Sequence, residues 1–272
     1  MPGSRPRIAA INFDHHKQSH MFSRIADQYQ GSTAVVIGAG GIGGEIIRLL
    51  APSVGKLVVA DFNESLLASL QDAHPAALLT TRKLDVLDSE AVADFASFVN
   101  TTVGPPQFLF YAVGILTIEP FLATTTKDWE RAVAINLNGA FYCSKAMAEL
   151  MVPQKRGSIL LLGSIAGTKA RSGSRVNPVY NTTKAGLAAF VNASAMQLRS
   201  QGVRINCISP GPTATTMMDI QPAAVHASVR EITLDQRMNN PAEVAELALF
   251  VAAHGRFTGE DVGLGGGAGL GG

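Results

Sequence analysis

The sequence is poor in cysteine, in charge and in long apolar runs. Only two cysteines occur in 272 residues, Cys143 and Cys207, both among apolar neighbours. A disulfide framework is therefore not expected, and we predict a reducing compartment, the cytoplasm. No run approaches the roughly 18 apolar residues that a membrane-spanning helix requires. The first residues include Asp14 and Asp27 and no apolar segment like that of a signal peptide, so we expect neither secretion nor a membrane partner.

Charge is scarce as well, since 16% of the residues are Asp, Glu, Lys or Arg and the net charge is +1. A nucleic-acid-binding surface would show clustered Lys and Arg and a basic balance, so we expect no nucleic-acid partner. In contrast, 47% of the residues are hydrophobic. That content can form the large core of one domain of roughly 250 residues.

Residues 1–31 are polar and irregular, and they contain His15, His16 and His20. Grouped histidines can bind a metal ion, but no second ligand cluster with suitable spacing follows. We therefore predict a flexible N-terminal extension over residues 1–31, no metal site, and one domain over residues 32–272.

A β-branched run at residues 33–37 leads into a glycine-rich turn, and residues 45–50 have the pattern of an amphipathic helix. Glycines permit a tight turn and let backbone N–H groups at a helix N-terminus approach a pyrophosphate. A plain strand-to-helix turn is the alternative. The turn and its candidate cofactor-binding residues are Gly38, Gly40, Gly41, Ile42 and Gly43.

The next apolar run, residues 56–60, ends at Asp61, 18 positions after Gly43. A carboxylate about 20 residues beyond such a turn accepts hydrogen bonds from the adenosine ribose, and it repels a 2′-phosphate. Neither Arg48 nor Lys56 is placed as an obvious phosphate clamp. The pattern favours NAD over NADP, with an ordinary turn residue as the alternative for Asp61.

Apolar strands and helices alternate along the rest of the chain. Strands this apolar indicate an α/β fold, a doubly wound Rossmann-type parallel sheet with helices on both faces, in a single domain. The carboxyl ends of the strands then form one edge, where such sheets bind ligands. Asp85, Gly114, Ser164 and the turn after Ser209 fall on that edge. Predicted strands are 79–84, 107–111, 158–162, 203–208 and an edge strand near 257–262; predicted helices are 64–73, 89–99, 127–151 and 241–253.

Tyr180 and Lys184 lie four residues apart in an apparently helical segment. Side chains at this spacing share a helix face. A tyrosine titrates near ~10 in isolation, and a nearby positive charge favours its phenolate. The pair could therefore exchange protons with a ligand near neutral pH. Without its context, the same spacing could belong to a solvated helix.

The helix that carries Tyr180 is apolar around most of its circumference, and a sheet can cover only one side of it. We predict that this helix and residues 139–151 pack against a second subunit in a homodimer or homotetramer. Burial by another part of the same chain is the alternative. Residues 213–238 form an apolar-sided segment after the sixth strand, which we interpret as a lid.

In this order and spacing, the motifs resemble those of the short-chain dehydrogenase/reductase family over roughly residues 32–267. The resemblance implies that Tyr180 exchanges a proton with the substrate oxygen and that Ser164 donates a hydrogen bond to the same atom. It implies that Lys184 lowers the pKa of the phenol and binds the nicotinamide ribose, while Asn136 holds a water in a proton relay. The same resemblance places Thr213 and Thr215 at the nicotinamide carboxamide, Asp85 and Val86 at the adenine, and Gly114 beside the cofactor.

Four features depart from the family pattern. The glycine turn is one residue shorter than usual, which leaves open which amide meets the pyrophosphate. Tyr111-Ala112-Val113-Gly114 replaces Asn-Asn-Ala-Gly, so amides that tie neighbouring strands are missing. Ser164 and Tyr180 are 16 positions apart, with the extra length in residues 169–177. Gly265-Gly266-Gly267 stands in place of Asp-Gly-Gly, so we expect a less anchored final strand.

These residues together predict an NAD(H)-dependent oxidoreductase that interconverts a secondary alcohol and a ketone. The alternatives are an NADPH-dependent carbonyl reductase and a non-catalytic dinucleotide-binding scaffold. Lys169, Arg171 and Arg175 could present positive charge to an anionic substrate, whereas the Met and Ile residues of 213–238 suggest an apolar one. Solvated basic residues on a mobile loop are the third alternative.

Overall fold

The computed structural model describes residues 25–74, 78–168, 177–221 and 223–268. In these ranges seven strands form one parallel sheet in the order β3-β2-β1-β4-β5-β6-β7. The strands are β1 Thr33–Ile37, β2 Lys56–Asp61, β3 Leu79–Lys83, β4 Phe108–Tyr111, β5 Gly157–Leu162, β6 Val203–Pro210 and β7 Asp261–Leu264.

Helices cover both faces of this sheet. They are α1 Gly41–Leu50, α2 Glu64–Ala73, α3 Ser89–Val103, α4 Thr126–Val133, α5 Gly139–Met151, α6 Ile165–Thr168, α7 Pro178–Leu198, α8 Thr216–Asp219, α9 Ala223–Ile232 and α10 Pro241–Ala253. A π-helical turn, Ala134–Asn138, joins α4 to α5. The doubly wound α/β fold predicted from the sequence is confirmed.

The central strands β1, β4 and β5 are buried at every position because each face of the sheet has its own core. On β1, Val35 and Ile37 belong to the core beneath α3, α5 and α7, whereas Ala34 and Val36 belong to the core beneath α1 and α10. Successive strand residues point to opposite faces, so a strand covered on both sides needs no alternation of polar residues.

Several predicted boundaries differ from those of the structure, among them the start of α1 and the position of the edge strand. Helix α1 begins at Gly41 rather than at residue 45, because glycines of the turn also form its first turn. The edge strand lies at Asp261–Leu264 rather than near 257–262 and pairs in parallel with β6. Residue 257 instead ends a turn, where its N–H bonds the carbonyl of His254.

The described end of the predicted extension packs against the domain. Tyr29 is 2% exposed, its hydroxyl donates to the carbonyl of Leu249 at 2.7 Å, and its ring centroid lies 4.5 Å from that of Phe108. Tyr29 thus anchors the described end of the extension to the domain, and the flexibility of the extension stays a prediction. The three histidines and the basic residues 169–175 lie outside the described residues. Within the described part, no helix is both long and apolar enough to cross a bilayer.

Candidate active site

A cleft of about 1170 Å³ opens along the carboxyl ends of the strands. Its wall includes every residue predicted for the site except Gly43 and Asn136. We call the part formed by Gly38, Gly40, Gly41, Asp61 and Asp85 the glycine end. The part formed by Ser164, Tyr180 and Lys184 is the tyrosine end.

The glycine turn passes too close to its neighbours for side chains. Gly38 has φ +94°, and a Cβ there would lie 2.8 Å from the carbonyl carbon of Ala112. A Cβ on Gly43 would lie 1.9 Å from the carbonyl oxygen of Gly38. Gly43 thus stands behind the wall, where it permits α1 to pack against the turn.

Helix α1 begins with open backbone amides. Its N-cap, Gly40, offers no side-chain cap, and no acidic residue occurs in the first turn. Gly41 and Ile42 line the cleft. A helix N-terminus of this kind favours an anionic group such as a pyrophosphate, so this end of the cleft fits a dinucleotide.

Asp61 fastens the shortened turn. Its Oδ2 accepts from the N–H of Ala39 at 2.7 Å, and its Oδ1 accepts from the N–H of Asn63 at 2.8 Å. The amide of Ala39 therefore faces the carboxylate, which leaves the amides of Gly41 and Ile42 to meet a phosphate. Phe62 follows Asp61 in the wall, is 65% exposed, and has Lys83 Nζ at 5.7 Å from its ring centroid.

The turn after β3 contributes the remaining wall of this end. The Oδ1 of Asp85 accepts from the N–H of Leu87 at 3.0 Å, and Val86 is 6% exposed. Leu87, by contrast, is 47% exposed. An exposed apolar side chain in the same wall as Phe62 suits the flat face of an adenine ring.

At the tyrosine end, Lys184 belongs to the wall of the cleft but is almost fully buried. The side chain is 5% exposed, and Nζ donates to the carbonyl oxygen of Leu162 at 2.8 Å. Burial lowers the pKa of Lys184 to about 8, against a smaller opposing effect of Cys207. Gly167 makes this position possible, because a Cβ there would lie 2.5 Å from the backbone of Lys184 and Ala185.

The effect of Lys184 on the pKa of Tyr180 stays a prediction, because two other influences dominate that pKa in the structure. Burial raises the pKa of Tyr180, and the hydrogen bond with the Ser164 hydroxyl opposes that effect. Lys184 Nζ lies 5.8 Å from the centre of the ring and bonds a backbone carbonyl instead. Spacing along a helix could not reveal the desolvation of both groups.

Asn136 lies in the π-helical turn and is fully buried. Its Oδ1 accepts from the N–H of Ile115 at 2.8 Å, while its Nδ2 donates to the carbonyl of Ile115 at 3.0 Å and to Thr183 Oγ1 at 3.1 Å. A Cβ on Gly114 would lie 3.3 Å from that Oδ1 and 3.2 Å from Lys184 Nζ. The amide of Asn136 thus holds the floor of the cleft in place from behind.

Tyr111 stands where the family pattern has a strand-tying asparagine, and it bonds a different part of the chain. Its hydroxyl, 1% exposed with its ring, donates to the carbonyl of Ile135 at 3.2 Å. A Cβ on Gly139 would lie 2.7 Å from the hydroxyl oxygen of Tyr111. The end of β4 is therefore tied to the π-helical turn that carries Asn136.

The chain after β6, which includes Thr213 and Thr215, returns to the glycine end of the cleft. Thr213 is 7% exposed, and its hydroxyl donates to the carbonyl of Gly211 at 2.9 Å. Thr215 begins α8. A Cβ on Gly41 would lie 3.1 Å from the methyl carbon of Thr215, so the start of the 213–238 segment covers the turn.

Asn177 is a residue of the site that the sequence analysis did not identify. It is 5% exposed and caps α7, accepting from the N–H of Tyr180 at 2.8 Å. It also accepts from the Thr117 hydroxyl at 2.8 Å and donates to the carbonyl of Glu119 at 2.7 Å. Asn before Pro178 was a recognisable N-cap signal, but its partners sixty residues away were not predictable.

The assembled cleft can bind an anionic, two-part ligand with one apolar ring at the glycine end. It can also present a hydroxyl pair, Ser164 and Tyr180, to an oxygen atom at the other end. Proton exchange with that oxygen is the chemistry that this arrangement supports.

Comparisons with known proteins agree in fold and length. The chain matches the family model described as Enoyl-(Acyl carrier protein) reductase over residues 37–268. It is 31% identical over 234 residues to galactitol 2-dehydrogenase (L-tagatose-forming) of Cereibacter sphaeroides, covering 85% of this chain and 91% of that protein. It is 30% identical over 252 residues to (3R)-3-hydroxyacyl-CoA dehydrogenase of Mus musculus, covering 88% and 96%. A short-chain dehydrogenase/reductase described as a glucose/ribitol dehydrogenase of Brucella melitensis has a similar structure, with a TM-score of 0.81, 27% identity, and coverage of 89% and 98%.

Proposed function

This chain belongs to the short-chain dehydrogenase/reductase family, and on that premise we propose that it transfers a hydride between NAD(H) and a secondary alcohol or ketone, with Tyr180 as acid and base. Membership makes the protein an oxidoreductase of alcohol or ketone substrates. The choice of nucleotide and the roles of single residues go beyond membership.

The observation that carries the proposal is the group of Ser164, Tyr180 and Lys184 at one end of a cleft whose other end has the glycine turn and Asp61. The distance between the ends of the cleft suits a ligand whose reactive ring lies far from its adenine. A scaffold protein would have no need of a buried lysine beneath a paired tyrosine and serine, since burying such groups is costly.

In ketone reduction, the Tyr180 hydroxyl donates its proton to the carbonyl oxygen while Ser164 donates a hydrogen bond to the same atom. Lys184 stabilises the phenolate that remains. In alcohol oxidation, the phenolate of Tyr180 accepts the hydroxyl proton. The nicotinamide, when bound, supplies or accepts the hydride at the adjacent carbon.

Burial raises the pKa of Tyr180, so its protonated form dominates at neutral pH. We expect alcohol oxidation, which needs the phenolate, to accelerate as the pH rises above neutral, whereas ketone reduction should not. Initial rates in both directions across pH 6 to 10 measure this. A rate of oxidation that is independent of pH would contradict the assignment of Tyr180 as base.

Asp61 supports NAD as the nucleotide. Two backbone N–H groups orient its carboxylate at the end of the cleft, where it would accept from the ribose hydroxyls and repel a 2′-phosphate. The coarser assignment, a nicotinamide dinucleotide, follows from the family.

We further propose a homodimer or homotetramer in the cytoplasm. Phe141 on α5 is 44% exposed and lies against Phe190 of α7 with ring centroids 6.0 Å apart, and Met196 of α7 is 66% exposed. These apolar side chains support contact with a second copy through α5 and α7. The free, buried thiols Cys143 and Cys207 support a reducing compartment. Sedimentation of the full chain measures the assembly.

The test of the function is Tyr180→Phe, which removes the hydroxyl and keeps the ring. Removing a general acid or base typically lowers a rate by about 10² to 10⁴, so turnover should fall by at least a hundredfold while NADH still binds. Tyr142→Phe is the matched control, because Tyr142 lies on α5 outside the wall of the cleft. Full activity of Tyr180→Phe would contradict the proposal.

A further inference from the structure

The wall beyond Ser164 and Tyr180 is apolar on three sides. The loop after β4 contributes Ile115 and Leu116, and the 213–238 segment contributes Met217 and Met218. The third side is the start of α6, with Ile165 and Ala166. Flexible methionines adapt to apolar ligands of varied shape.

Charged groups on this outer wall do not favour an anion. Glu231 lies on α9 and Arg131 on α4, and both line the cleft. Their charges are opposite, so the described wall has no net positive field that would attract a carboxylate or a phosphate. Asn181 and Thr216 are the neutral polar side chains that it adds to Ser164 and Tyr180. A polyol would bury hydroxyls with few partners, and each unsatisfied group lowers affinity.

A separate observation is that exposed apolar side chains are grouped on the two segments that supply Ile115, Leu116, Met217 and Met218 to the cleft. Of twelve large hydrophobic side chains that are exposed in the described residues, four lie in the 213–238 segment and four between β4 and the end of α4. They are Met217, Ile220, Ile232 and Leu234, and Ile118, Phe121, Leu122 and Trp129.

The second group is held beside the tyrosine end. Asn177 bonds Thr117 and the carbonyl of Glu119, and it also caps the helix turn of Tyr180. Exposed apolar side chains grouped in this way mark a surface that binds an apolar ligand.

We propose that the substrate is an uncharged secondary alcohol or ketone with an extended apolar chain, rather than a polyol or a hydroxy acid. The inference rests on the proposed function. The carbinol carbon loses a hydride to NAD⁺ and the hydroxyl loses its proton to Tyr180, which yields the ketone and NADH. The apolar chain lies between the β4 loop and the 213–238 segment.

The experiment compares a homologous series of 2-alkanols, from 2-butanol to 2-nonanol, with galactitol and 3-hydroxybutyrate as substrates of the full chain with NAD⁺. Burial of a methylene contributes about 0.8 kcal/mol, so kcat/KM should rise about threefold to fourfold with each added methylene. Galactitol and 3-hydroxybutyrate should fall at least a hundredfold below 2-nonanol. A flat series, or a preference for either polar substrate, would overturn the inference.

Variants locate the effect. Met217→Gln should lower kcat/KM for 2-nonanol about tenfold and change that for 2-butanol little. Met238→Gln is the matched control, since this methionine belongs to the same 213–238 segment and lies outside the wall of the cleft. Equal losses for both alcohols in Met217→Gln would contradict the placement of the chain.

A binding measurement separates the inference from the function. Trp129 is the only tryptophan of the chain, is 42% exposed, and lines a second pocket with Pro178 and Val179 at the start of the Tyr180 helix, so its fluorescence should change when 2-nonanone binds with NADH and not when galactitol is added. Turnover confined to galactitol or 3-hydroxybutyrate overturns the inference and leaves the proposed function intact. Binding of 2-nonanone without turnover of any substrate contradicts the proposed function and supports only an apolar ligand site in the cleft.

Discussion

The two ends of the cleft are built in different ways. At the glycine end, short turns position their own residues: Asp85 bonds Leu87 and Asp61 bonds Asn63, each two positions away. At the tyrosine end, the groups that hold the site come from distant segments. Asn136 bonds Thr183 across 47 positions, and Asn177 bonds Thr117 across 60.

The difference has a physical origin. Anion binding at a helix N-terminus needs little more than a permissive backbone, which glycines supply locally. Proton transfer needs a buried phenol and a buried amine at fixed positions, and burial requires cover from several elements. At the glycine end, the bond from the N–H of Ala39 to the carboxylate of Asp61 is an exception, because it spans 22 positions.

The largest expected effect is that of removing the amide behind the tyrosine end. Asn136→Ala leaves the buried N–H and carbonyl of Ile115 without partners, at about 1–3 kcal/mol each. We expect Tm to fall by about 10 °C, and kcat/KM to fall about a hundredfold.

Asn206→Ala is the matched control for that variant. Asn206 is equally buried, donates to the carbonyl of Phe257 and accepts from the N–H of Glu260, and lies outside the wall of the cleft. It should lose similar stability and keep its kcat/KM once folded. Equal loss of activity in both variants would show that Asn136 acts only on stability.

The buried amine should produce a pH dependence of stability. The pKa of Lys184 is about 8 in the folded chain against 10.5 for an ordinary lysine, so the unfolded chain binds more protons between these values. Burial of the charged Lys184 therefore lowers the free energy of unfolding by its full amount below pH 8, and this loss disappears as the pH rises to 10.5. Relative to Lys184→Met, wild-type stability should therefore gain up to about 3 kcal/mol over this window. Denaturant titrations at several pH values measure it, with Lys127→Met, an exposed lysine, as the control that should show no such gain.

Variants at two helix N-caps allow a direct comparison of long-range with local hydrogen bonding. Asp88 caps α3 through the N–H groups of Glu90 and Ala91 alone, so Asp88→Ala should cost about 1 kcal/mol of stability and no activity. Asn177→Ala also breaks the bonds to Thr117 and Glu119, so we expect about 2 kcal/mol and a tenfold fall in kcat. Chemical denaturation with steady-state kinetics distinguishes them; an unchanged kcat in Asn177→Ala would show that Tyr180 is positioned without its cap.

The smallest effect concerns the nucleotide. Asp61→Asn removes the charge that repels a 2′-phosphate, so the ratio of KM for NADP to KM for NAD should fall about tenfold, which is 1.4 kcal/mol. Asp85→Asn is the control, because it should change KM for both nucleotides alike. If the ratio stays constant in Asp61→Asn, the carboxylate does not determine the preference.

Much of this architecture was predictable. Apolar runs that are buried on both faces announce a parallel sheet, as Val35 and Val36 illustrate with one core each. Gly38 and Asp61 were predicted at the cleft because a glycine turn and a following carboxylate have a fixed separation along the chain. The start of α1 was predicted less well, because the glycines of a turn can also be helical. The edge strand β7 was predicted less well, because its four residues carry little pattern.

The sequence by itself determined the succession of strands and helices along the chain, the glycine turn, and a tyrosine and lysine on one helix face. Only the tertiary structure decided that Asn136 stands behind the floor, that Asn177 ties Tyr180 to the β4 loop, and that the pKa of Tyr180 is raised rather than lowered. The reason is that the type of each element and the conformation of each turn depend on neighbours along the chain. Desolvation, in contrast, depends on whatever covers a group in space.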